Sequence, residues 1–417
     1  MHTSQLIKPG YVEQVVYYDS SSVYTGLTSG TSAKPVNNET DMRAICIARN
    51  IKTVVLRGTA TILKFTSTLS NMNFEGEGVF GATPTIDFNG QIITCPFTNL
   101  IITDTAGGNL VSVSNFANCY ILKPIAHTVG GSNYFKCVFA SPVTNPALGI
   151  INLYDNCVCL GNMVNTTGKI YVYGDFYCAG SLSHTTGTIT IRGDCHVNVG
   201  ISHNGTGHLY VYGNCYVGTE LGNTTGHTHI YGNCQVGGTM SNTTGQITVS
   251  GSCQVGTDLL GSDTGSITIS ADCHIGSDLN NATGNITIQG NCQVGGWLYN
   301  DTGHVYVYGV CQIANDMDNE HLFEGGTIRF MSPDPTLDLI LSATASVERV
   351  VSRGNLTVAR MVAGATAIID LCGGVLTLAV TCTGGAITLY GDCGIHDDAG
   401  LAVTINDFRV PGHFADT

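Results

Sequence analysis

The stretch GNCQVGGTMSNTTGQITVSGSCQVG, residues 232–256, holds two copies of the phrase Gly-(Asn/Ser)-Cys-Gln-Val-Gly, spaced so that Cys234 in one answers Cys253 in the next. Working outward, the same cysteine returns at Cys157, Cys195, Cys215, Cys234, Cys253, Cys273, Cys292 and Cys311, with Phe176 filling the one missing slot, in steps of nineteen or twenty. A glycine, usually preceded by Thr, keeps the same time at Gly168, Gly187, Gly207, Gly226, Gly245, Gly265, Gly284 and Gly303. Within ITVSGSCQV the apolar residues alternate, Ile247 and Val249, then Cys253 and Val255. A period of two means strand. Gly251-Ser252 breaks the alternation and marks a corner. A third short segment carries one aliphatic residue per unit, at Leu221, Met240, Leu259, Leu279 and Leu298, before an Asn-Thr-Thr-Gly corner returns the chain.

Three short strands and three turns in each such unit make one coil of a single-stranded parallel β-helix, an all-β solenoid. Stacked coils lie about 4.8 Å apart, so each position becomes a column. One coil cannot bury its own apolar edge, and stacking supplies the shared core. The cysteines alternate in phase with Val and are expected to point inward, as small hydrophobes filling a narrow corner that Phe176 can also occupy. Disulfides between neighbouring coils are open on Cα spacing. Zinc needs four convergent ligands, and a straight column offers sulfurs in a line. No metal or cofactor is expected.

The 417 residues are 43% apolar but only 11% charged, where globular proteins carry about a quarter. Gly, Thr, Asn and Ser fill the gap. The formal net charge is −14, with no Lys/Arg cluster, which argues against a nucleic-acid partner. No apolar run approaches the roughly 18 residues of a membrane span, so no membrane insertion is expected. The start, MHTSQLIKPGYVEQ, lacks a basic segment followed by an apolar core, so no signal peptide is expected. The 17 cysteines fall mostly one per repeat rather than in pairs, which reads as reduced thiols made in a cytosol.

Four regions follow. Residues 1–58 are read as an N-terminal anchor with a capping helix. In VNNETDMRAICIARN (36–50) Asn38 caps, Asp41 stands three positions on, and Met42, Ile45, Cys46 and Arg49 share a face. IKTVVLRG (51–58) reads as the strand after it. The helix is expected to cover the open end of the coils, whose edges need protection. Residues 59–156 read as irregular coils, 157–316 as the regular repeats, and 317–417 as irregular coils and a cap. Pro333 and Pro335 mark a break, and AITLYGDCGI (386–395) repeats TITIRGDCHV (188–197).

The N-terminal stretch VVYYDSSSVYTGLTSGTSAKPVNNETDMRAICIARNIKTVVLRG, with the following LSNMNFEGEGVFGATPTIDFNG, resembles β-helical structural proteins of tailed bacteriophages. The resemblance ends with the second of these stretches, at Gly90. It implies a virion component made in the bacterial cytoplasm: a fibre, spike or appendage, commonly homotrimeric, joined to other virion proteins through its N-terminal region and often bound to host surface glycans. It does not imply an activity.

Outward columns supply the candidate surfaces. One reads Tyr171, Thr190, Tyr210, His229, Thr248, Thr268, Thr287, Tyr306, and the next Tyr173, Arg192, Tyr212, Tyr231, Ser250, Ser270, Gln289, Tyr308. Tyr210, Tyr212, Tyr231, Tyr306 and Tyr308, with Trp297, are the glycan-binding candidates, because rings stack on apolar sugar faces. Ordinary strand propensity explains the same columns. The residues after each Cys, including Gln235, Gln254, Gln293 and Gln312, read as a structural amide ladder. A glycosidase needs two carboxylates flanking the scissile bond. Only Asp258 and Asp278, on adjacent coils with Trp297 beyond, suggest such a pair, for an alternative reading as a depolymerase of capsule or lipopolysaccharide. Each follows Gly-Thr or Gly-Ser, so turn chemistry accounts for them. The leading expectation is a non-enzymatic structural protein. The sequons at Asn165, Asn223 and Asn242 read as turns.

Overall fold

The computed structural model describes residues 14–26, 29–58, 60–78, 83–91, 93–106, 115–126, 131–146, 148–261, 263–315, 317–319, 322–330, 336–339, 346–353, 355–361, 366–379, 382–397 and 403–409. Residues 1–13 of the expected anchor, and the break at Pro333 and Pro335, lie outside them. The chain divides into two compact units, Met1–Tyr177 and Cys178–Thr417. Each is a solenoid of short parallel strands. Among the described residues there is one helix, and no helix is long and apolar enough to cross a membrane.

In the first unit β1 (Val15–Tyr18) pairs in parallel with β2 (Thr53–Arg57), which pairs with Asn73–Glu77. Between β1 and β2 runs α1 (Glu39–Arg49). Asn38 caps it as its sequence requires: Oδ1 accepts the Asp41 N–H at 2.8 Å while Nδ2 donates to Asp41 Oδ2 at 2.9 Å, satisfying donors that a helix start leaves open. Asn50 ends it in the left-handed conformation. Met42, Ile45 and Cys46 are buried, but Arg49 is exposed. The expected apolar face therefore stops at Cys46, since a guanidinium is rarely taken under cover. The open edge of β1 is closed by the loop before the helix. Tyr17 donates to Gly30 O, Asp19 to Val36 O, and Val36 back to Tyr17 O, each at 2.9 Å. Glu39 ties α1 to the next coil by accepting from Thr66 N and Oγ1 at 2.8 and 2.7 Å, and it pairs with Arg43.

The core of this unit adds a stack of aromatic rings to its aliphatic and cysteine residues. Phe74 pairs in register with Phe97, Phe97 with Phe116, and Phe116 with Tyr134. Their rings stack at 5.7, 5.3 and 4.8 Å, near the spacing of paired strands. Phe65, Phe88 and Phe139 fill in at the sides. The interval along the chain shortens at each of these pairings, so the coils differ in length while the stack holds. Asn99, Asn118, Lys136 and Asp155 all turn with positive φ.

The second unit keeps strict time. The strands Gln246–Val249, Cys253–Val255 and Leu259–Gly261 form one coil, and each pairs residue for residue with its counterpart one coil on. The cysteines from Cys195 to Cys311 form one unbroken register. All are buried and unpaired as disulfides. The expected inward thiol column is therefore present. Hydrogen bonding to the neighbouring thiols, with burial added, pushes Cys234 and Cys292 well above the ordinary thiol range.

Two polar ladders run along most of these coils. At the corner before Cys, a side-chain oxygen accepts the backbone N–H of the residue one coil on: Asp194 from Asn214 at 2.7 Å, Asn214 from Asn233 at 3.0 Å, Asn233 from Ser252 at 2.9 Å, Asp272 from Asn291 at 2.7 Å. The preceding glycine is required by closeness. A Cβ on Gly251 would lie 2.5 Å from Asn233 Oδ1 and 2.7 Å from Gly232 O. Inside the third corner Asn223, Asn242, Asn281 and Asn300 are buried in register. Asn223, Asn242 and Asn281 each donate at 3.0 Å to the carbonyl three residues on. Asn165 does the same in the first unit at 3.1 Å. The sequons do build turns, and their amides are wholly enclosed.

Beyond Val307 the first two strands of each coil merge, as in His304–Ile313, Thr366–Leu378 and Ala386–Asp397, with the old corner surviving as a bulge. Ile387, Leu389 and Cys393 are buried, as the late return of the motif predicts.

Candidate functional site

Coils stacked in register turn every outward side chain into a row. In the second unit one such row bounds a groove of about 840 Å³. Its wall is the Asx corner ladder (Asp194 to Asn291), and its floor is the row after each Cys: His196, Tyr216, Gln235, Gln254, His274, Gln293 and Gln312. The rings of His196 and Tyr216 stack at 4.4 Å. His274 Nδ1 lies 3.1 Å from Gln293 Oε1, an inter-coil bond of the expected amide ladder. Gln235 and Gln254 stand in register and exposed. One oxygen of each of Asp194, Asn214, Asn233 and Asp272 in the wall is spent on a backbone N–H.

The aromatic candidates lie on other rows, and none lines the groove. Tyr212 and Tyr231 stack at 4.7 Å, are 52% and 43% exposed, and have His229 at 4.1 Å from Tyr231. Tyr210 is half-buried beside His208. These three tyrosines therefore form one patch. Tyr306 and Tyr308, the latter 68% exposed, stand further along the same rows, separated by Thr248, Thr268 and Thr287. Trp297 stacks on Tyr299 at 5.7 Å in another row.

Asp258 and Asp278 occupy adjacent coils, as the spacing predicts. Asp258 Oδ1 accepts the Asp278 N–H at 3.2 Å, and Asp278 Oδ1 accepts the Trp297 N–H at 2.7 Å. Each carboxylate thus fastens its coil to the next, and neither borders the groove. Among the described residues no group of three or more His, Cys, Asp or Glu is arranged to hold a metal ion.

Sequence reasoning did not find the groove. The floor row was visible as the residue between each buried Cys and Val, but it read as a ladder bonded to itself. The open corner beside it follows from where the strands bend, which no single residue announces. Comparison with family models, with curated proteins and with solved structures finds no match for this chain.

Proposed function

We propose that this chain is a non-enzymatic structural protein of a tailed-phage virion, a β-helical fibre, spike or appendage, and that its second unit meets a host-surface polysaccharide. The virion assignment, with a homotrimer and an N-terminal attachment to other virion proteins, rests on the N-terminal resemblance. The observation that supports the carbohydrate contact is the groove with its in-register floor of Gln, His and Tyr. A polymer of repeating sugars presents hydroxyls at regular intervals. A row of amides about 4.8 Å apart offers donors and acceptors at regular intervals to match, and the stacked His196–Tyr216 pair offers an apolar face to a ring.

The mechanism is mechanical and adhesive. Short hydrogen-bonded coils resist local opening, and many weak polar contacts along one polymer add by effective concentration. The test is binding of the purified chain to capsular and lipopolysaccharide preparations, with reducing ends assayed in parallel. The reading expects binding without release, weakened tenfold or more by joint Gln235→Ala and Gln254→Ala. Release of reducing ends that is lost on Asp258→Asn or Asp278→Asn would replace it with a depolymerase. Antibody labelling that leaves intact particles bare would remove the virion assignment.

A further inference from the structure

The buried asparagine row of the second unit has three other occupants, two histidines and a glycine. His184 pairs in register with His203, His203 with Asn223, and Asn223 with Asn242, while Gly261 precedes Asn281 and Asn300. Both histidines are enclosed: His203 is 0% exposed and His184 1%. Their ring centroids are 4.5 Å apart. The charged groups that act most strongly on His203 are other imidazoles. His184 lies on the strand one coil before, His208 on the strand that follows within its coil, and His227 one coil after. His208 and His227 stack at 5.1 Å. Among the described residues no carboxylate pairs with the ring. Its Nδ1 lies 3.4 Å from Thr228 Oγ1, and its Nε2 finds no well-formed hydrogen bond. A Cβ on Gly226 would lie 2.0 Å from that Nε2, so the ring occupies the space glycine leaves.

We propose that His184 and His203 make the coils from Leu182 to Ile230 an acid-sensitive seam, which opens on mild acidification while the asparagine-lined coils beyond it stay closed. An amide in this row never titrates, whereas an imidazole does. A charged ring here would be a buried cation with no counter-charge, pressed against further imidazoles. Burial, then His184, His208 and His227, lowers the His203 pKa from 6.5 to about 4, and the Gly207 backbone does not offset them. The sign follows from linkage. The folded ring stays neutral where the opened ring binds a proton, so stability is full above pH 6.5 and falls steadily down to about pH 4. Each pH unit in that window multiplies the opening equilibrium by up to about tenfold.

Hydrogen exchange of the whole chain, followed by mass spectrometry and corrected for intrinsic rates, tests this at pH 6.5 and 4.5. The opening constant of peptides in 182–230 is expected to rise about fortyfold, with little change in 246–300. The His184→Asn/His203→Asn variant installs the row's usual residue and is expected to remove the rise. A rise of equal size in both segments, or one that survives in the double variant, overturns the proposal. Imidazole NMR of the unaltered protein provides a check that needs no variant. His203 is expected to remain neutral at pH 5, and titration near 6.5 with the segment still protected would refute the seam.

Discussion

The two units solve one packing problem with different materials. Both bury cysteine, valine, isoleucine and leucine, and the first adds a stack of aromatic rings. A ring stack tolerates coils of uneven length, because rings slide over one another and keep contact, and the interval shortens from Phe74–Phe97 to Phe97–Phe116 and again to Phe116–Tyr134. Small side chains cannot bridge a misfit. The second unit therefore holds its period almost constant from Cys195 through Cys215, Cys234 and Cys253 to Cys273 and pins each corner with a polar ladder. The corners differ too. Those of the first unit use left-handed Asn, Asp and Lys, and those of the second use glycines pressed against the carbonyl of the coil before.

That contrast breaks first at a glycine of the second unit. A Cβ on Gly256 would lie 2.0 Å from Gly237 O, and backbone cannot move aside as a side chain can. Gly256→Val is expected to cost more than about 4 kcal/mol, the exceptional range for one substitution, read as loss of the cooperative denaturant transition. The corresponding corner of the first unit carries Leu160, 45% exposed, and Leu160→Val is expected to be near neutral there.

The next test compares the cores. Phe97 touches rings on both sides, at 5.7 and 5.3 Å, and Phe97→Ala is expected to cost about 3–5 kcal/mol. Cys253→Ala removes one sulfur from a narrow column and is expected to cost about 1 kcal/mol. Urea midpoints at unchanged slope would measure both. Equal costs would erase the distinction between an aromatic and a thiol-lined core. The smallest effect lies at Lys136, whose φ of 51° suits Asn better than Lys. Lys136→Asn matches Asn99 and Asn118 in its row and is expected to stabilise the first unit by about 0.5 kcal/mol, read as a small upward shift of the same urea midpoint.

The second unit was legible in the sequence because its period and its residues repeat together. Cys253, Val255 and Leu259 recur in type as well as in place, so strands, corners and the inward column could be read directly. The first unit was not legible beyond its strands and helix. Phe74, Phe97, Phe116 and Tyr134 are the landmarks of one stack, but unequal steps hide it from any fixed-period reading. The histidine pair was written plainly, as SLSHTTG against TMSNTTG. It passed unread because the asparagine looked like a surface turn residue, and only its burial shows that the row lies inside. The groove was missed for the converse reason: its residues read as outward, and the bend that makes them line a concavity is a property of the backbone.

The central claim is that in-register coils enclose their thiols in one interior row. Native-state alkylation, mapped by mass spectrometry, tests it most directly. Cys372 is exposed and the remaining cysteines are buried, so Cys372 is expected to label alone until denaturant opens the fold. Rapid labelling of Cys234 and Cys253 in the folded protein would contradict the account.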